Sequence, residues 1–149
     1  GDAGLVALAP ALRRLPALGS LDLSGNRLLG DEGAGALVAP PPPPADAPTT
    51  MIGALTKLRT VWLNNTQITD TGCFALAAAL RSGALPALQD MFLFRISASA
   101  ASKTAVFMVL VSRRGLRTAD RPDSYFTRRE RRAWSDLTVL FDLGLVPHE

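Results

Sequence analysis

Apolar residues recur along the chain in two alternating rhythms. Over Leu15–Leu23, Leu55–Leu63 and Leu85–Leu93 they fall at L-x-x-L-x-x-L-x-L spacing or its close variants. The final alternation predicts short strands near 20–24, 60–64 and 90–94, because neighbours in a strand point to opposite faces. Leu21, Leu23, Val61, Leu63, Met91 and Leu93 would then face a core. Ser20, Asp22, Ser24, Thr60, Trp62, Asn64, Asp90, Phe92 and Phe94 would face the other way. After each strand the rhythm turns helical, as in Ala75-Leu76-x-x-x-Leu80. Between the two lies a turn in which glycine gives backbone freedom and Asp31 or Asp70 can cap the helix start. Pro10 interrupts the first helical pattern.

The rhythm is a repeat. Leu18, Leu21, Leu23, Asn26 and Leu28 match Leu58, Val61, Leu63, Thr66 and Ile68 at identical offsets. Leu85, Leu88, Met91 and Leu93 supply a third copy. Gly1-Asp2-x-Gly4 matches the later part of a unit, Gly30-Asp31-x-Gly33 and x-Asp70-x-Gly72. The chain thus opens in mid-unit and on Gly1 rather than Met, which reads as a processed or excised piece. A strand–turn–helix unit of this size cannot bury its apolar face alone, so copies are expected to stack into a curved solenoid. Asn26 can bond backbone groups in its turn, Thr66 less completely, and Ile96 not at all.

The L-x-x-L-x-L-x-x-N-x-L run at 18–28, the Gly-Asp-x-Gly segments and the spacing of 30 from Leu58 to Leu88 resemble the leucine-rich repeat family. The likeness is to its ribonuclease-inhibitor-like subtype and covers about residues 1–96. It implies an α/β horseshoe with parallel strands on the concave side, helices on the convex side, and a protein partner on the concave face. Some relatives are GTPase activators or innate immune receptors, and enzyme regulation of that kind is the alternative function. Two domains are expected: repeats over 1–96 with a proline-rich insertion at 39–50, then 97–149 as a divergent terminal repeat, basic linker and C-terminal helix.

Composition narrows the chemistry. An apolar content of 48% can fill a core, and 19% charge is too low for a disordered chain. One cysteine, Cys73, and one histidine, His148, leave no zinc set and no nucleophile–base pair. No cofactor or metal is therefore expected, nor catalysis by this chain. The lone cysteine suits a reducing, cytoplasmic compartment. No apolar run reaches the roughly 18 residues of a membrane span. The net charge of +3 sits in the back half, where residues 112–132 hold eight arginines and three acids. These arginines read as a solvated face, as a patch by which a basic adaptor docks on anionic surfaces, or as an address signal. Without aromatic interleaving or a nucleic-acid motif, they do not point to nucleic acid.

Three segments admit more than one structure. Pro40–Pro44 form a polyproline stretch, either a stiff exposed loop or a docking site for a proline-recognising module. Thr104–Val111 fits the helix of the terminal unit, with a strand as the alternative. Thr127-x-x-Glu130 followed by Trp134, Leu137, Leu140 and Phe141 reads as a helix capping the solenoid, a helix presented to a partner, or disorder. A shifted coding frame or splice junction after residue 96 would also explain the lost consensus.

Trp62 stands out. Parallel stacking in register would set Asp22, Trp62 and Phe92 in one row on the concave face, beside Ser24, Asn64 and Phe94. Trp62, Phe92 and Phe94 would form an aromatic patch that binds a protein partner, with Asp22, Asn64 and Asp90 as polar contacts around it. The alternative is that Phe92 and Phe94 pack beneath the C-terminal segment. Neither the partner's identity nor the oligomeric state is legible.

Overall fold

A computed structural model of the protein describes residues 1–15, 17–39 and 55–114. The proline-rich insertion beyond Ala39, the arginine-rich stretch from 115 and the expected C-terminal helix lie outside the described residues. Helix α1 (Asp2–Arg13) comes first. Three strand–helix pairs follow: β1 (Ser20–Asp22) and α2 (Asp31–Val38), β2 (Thr60–Trp62) and α3 (Asp70–Arg81), β3 (Asp90–Phe92) and α4 (Ala100–Arg114). The strands form one parallel sheet in the order β1-β2-β3, and the helices pack one on the next along the chain. Thr104–Val111 is therefore helical, despite its branched residues, because its apolar stripe docks on α3.

Each strand is shorter than its sequence pattern, since residues 24–25, 64–65 and 94–95 already turn. The hydrogen-bond ladder nevertheless runs on. Leu23 N–H donates to Trp62 O at 2.8 Å and Gly25 N–H to Asn64 O at 2.8 Å, while Leu63 and Asn65 donate to Phe92 and Phe94 at 2.9 Å. The turn needs a left-handed residue at one position per unit: Gly25 (φ 77°), Asn65 (φ 56°) and Arg95 (φ 54°). Glycine and asparagine accept that conformation readily and arginine does not. One residue later, Asn26 Nδ2 donates to Leu23 O and Thr66 Oγ1 to Leu63 O, each at 2.8 Å. Ile96 has no such donor and packs into the core instead.

The repeat acids do not cap their own helices. Gly30 and Thr69 are the N-cap residues of α2 and α3, and neither helix has a side-chain cap of its own. Each acid instead reaches across to the next helix. Asp2 Oδ1 accepts from Gly30 N–H at 2.6 Å and Gly33 N–H at 3.0 Å. Asp31 accepts from the Thr69 N–H at 2.7 Å and hydroxyl at 2.6 Å. Asp70 accepts from Ser99 N–H at 2.5 Å and Ser102 Oγ at 2.7 Å. Carboxylates satisfy N–H groups that a helix start leaves open, and their charge suits the helix dipole. Here that capping also ties one unit to the next.

This explains the glycines better than backbone freedom does. A Cβ at Gly33 would lie 2.6 Å from Asp2 Oδ1, and one at Gly72 would lie 2.9 Å from Asp31 Cγ. Neither residue has positive φ, so the constraint is space. In α4 the corresponding position is Ser102, whose hydroxyl joins the carboxylate rather than excluding it.

The core lies between sheet and helices. Val61, Leu63, Met91 and Leu93 are buried as the alternation predicts. Leu21 and Leu23, on the first strand, are only half-buried and pack against the core from its margin. The Leu28–Ile68 equivalence also fails. Leu28 is 81% exposed, and Leu29, at 2%, takes the core place that Ile68 takes in the next unit. The first turn is one residue longer, with Asp31 five residues after Asn26 but Asp70 four after Thr66. Pro10 does not interrupt α1. Pro10 and Val6 are exposed, so the Val6 carbonyl that loses its partner can meet water. Cys73 is buried, which pushes its thiol up to about 11.

Candidate protein-binding face

The parallel register builds the outer face of the sheet. Asp22 stands opposite Trp62 and Trp62 opposite Phe92; Ser20, Thr60 and Asp90 make the row before. Adjacent strands lie about 4.8 Å apart, so in-register side chains on one face must touch or leave a slot. Trp62 and Phe92 touch. Their rings stack with centroids 5.8 Å apart and planes 7° from parallel, an offset arrangement worth about 0.5–1.5 kcal/mol beyond burial.

Both rings are half-buried, but they differ in what holds them. Phe92 packs against the cluster of Phe107 and Val111 on α4 and so belongs partly to the chain beyond 96. The alternative, in which Phe92 and Phe94 pack beneath the C-terminal segment, turns on residues from 115 onward, which lie outside the described residues. Trp62 packs into neither apolar cluster of the described residues. Phe94 is half-buried too, and the Arg95 guanidinium lies 5.3 Å from its ring centroid, a cation–π contact.

The polar residues fall into separate roles. Asn64 Oδ1 accepts from Phe94 N–H at 2.8 Å, so its side chain fixes the backbone that presents Phe94. Asp22 is exposed, and its Oδ1 accepts from Ser24 N–H at 2.9 Å. Hydrogen bonds from the Ser24 backbone and then its hydroxyl hold the Asp22 carboxyl below its ordinary 3.8. Asp90 is half-buried at the start of β3. Register thus brings Asp22, Trp62 and Phe92 together as expected, while Asn64 turns toward its neighbouring strand.

Two features escaped the sequence reading. Arg95 joins the face through its left-handed turn, a geometry that apolar periodicity does not reveal. Phe74 is 53% exposed on α3, on the helix side, and offers a competing apolar contact.

A leucine-rich repeat family model matches residues 18–38 and 54–77. These matches support a leucine-rich repeat family. The first takes in β1 and α2, and the second takes in β2 and the first two turns of α3. No curated protein matches the chain. Leucine-rich repeats generally mediate protein–protein interaction, and among the described residues no helix is long and apolar enough to cross a membrane.

Proposed function

We propose that the protein is a non-enzymatic interaction module of the ribonuclease-inhibitor-like subtype. Its repeats form a short solenoid, and the outer sheet face is the concave surface that holds a protein partner. Trp62 is the centre of the contact, with Phe92 and Phe94 beside it and Asp22, Asn64 and Asp90 around them. The observation that carries this reading is the indole itself. A half-buried tryptophan that stacks on Phe92 yet packs into neither apolar cluster of the described residues suits a binding hot spot.

Selection of a displayed peptide library on the immobilised full chain tests it. Binders that compete with one another and are lost on Trp62→Ala are expected. Binders that ignore Trp62→Ala and are lost on Phe74→Ala would move the interaction to the helix side and overturn the proposal.

A further inference from the structure

The two faces of the Trp62 indole are not equivalent. Phe92 takes one from the β3 side, with nearly parallel rings. On the β1 side the register partner of Trp62 is Asp22. An aspartate is much shorter than an indole, so the row Asp22–Trp62–Phe92 steps down in side-chain length at β1. Asp22 is exposed, and no cationic side chain acts on its carboxyl among the described residues. Ser24 N–H fixes its orientation through Oδ1, so the acid is held in place rather than swinging in solvent.

We propose that this step is a slot, walled by the indole and floored by the Asp22 carboxylate, that takes an arginine side chain of the bound protein partner, an inference that rests on the outer-face reading above. A guanidinium is flat, stacks on an aromatic face and presents paired N–H donors to a carboxylate. The slot offers both surfaces at once. A lysine ammonium, a compact and strongly hydrated charge, would use the acid but not the flat wall. The same face already holds one guanidinium against a ring, Arg95 over Phe94 at 5.3 Å, so the chemistry is at home there. The acid's ionisation is secure: the Ser24 hydrogen bonds favour the charged form.

The test uses the Trp62-dependent binders selected on the full chain, resynthesised with each arginine replaced by citrulline, which keeps the shape and removes the charge. Arginine should recur among the binders. Citrulline at one position should weaken binding to the wild-type chain about tenfold, as expected for losing a cation–π contact and an ion pair together. Binding to Asp22→Asn should start weaker by about threefold to fivefold and lose less on the same replacement. Asp22→Asn should keep the wild-type melting temperature, which separates a lost contact from a lost fold. Trp62-dependent binders without arginine, or an equal citrulline loss with and without Asp22, would overturn the slot and leave the outer-face reading standing. Failure to select any Trp62-dependent binder would overturn both.

Discussion

Gly72→Ala sets two effects of opposite sign against each other. Gly72 lies in the first turn of α3, where alanine is preferred to glycine by about 1 kcal/mol on helix propensity alone. A Cβ there would sit inside van der Waals contact of Asp31 Oδ1, 2.9 Å from Asp31 Cγ and 2.9 Å from Ile68 Cγ2. The Asp31 carboxylate is pinned by the Thr69 N–H and hydroxyl, so it must give up one or both bonds to move. Loss of a helix cap costs about 0.5–2 kcal/mol, and crowding the fully buried Ile68 adds about 1–3 kcal/mol. The net expectation is destabilisation by about 0.5–4 kcal/mol, read from urea unfolding followed by far-UV circular dichroism. Gly35→Ala is the control: it lies in α2 with nothing within 4 Å of the new Cβ, and should stabilise by up to about 1 kcal/mol. In an Asp31→Ala background the cost of Gly72→Ala should fall by about 1 kcal/mol. If Gly72→Ala stabilised the protein as Gly35→Ala does, the cross-unit carboxylate would not be where its bonds place it.

Leu63 is fully buried, and Leu63→Ala should cost about 2–5 kcal/mol in the same unfolding assay; a loss below roughly 1 kcal/mol would contradict its place in the core. Asp70 is held below its ordinary 3.8 by the Ser99 backbone N–H first, then by the Ser102 and Ser99 hydroxyls. Its folded pKa being the lower one, its contribution is present above pH 3.8 and is lost as pH falls through the folded value. The wild-type advantage over Asp70→Asn in a pH series of unfolding curves should therefore shrink below pH 3.8; a constant gap would show that Asp70 is not capping α4.

The sequence makes the units legible because a strand face and a helix face each impose a period on Leu18–Leu93. Register follows from that period, and so does the row of Asp22, Trp62 and Phe92. Interactions between units are harder to read. The partners of Asp2, Asp31 and Asp70 lie 28 to 38 residues away, and an aspartate at a helix start looks the same whether it caps its own helix or the next. The shift from Leu28 to Leu29 hides for a similar reason, since both are leucines and only the longer turn decides between them. Phe92 alternates like Trp62, yet its tie to α4 depends on how the third unit meets later residues. The rings stack on one another and Phe92 also meets α4, contacts that alternation alone does not count.

Whether Trp62 binds a partner or holds the framework is decided by a paired measurement on Trp62→Ala: the affinity of a selected binder, and the free energy of unfolding. Stacking on Phe92 limits the stability loss to about 1 kcal/mol, whereas a hot-spot tryptophan carries about 2 kcal/mol or more of binding. Affinity should fall about thirtyfold or more while the fold is nearly unaffected. A large loss of stability with unchanged binding would show that Trp62 is part of the framework and that the partner sits elsewhere.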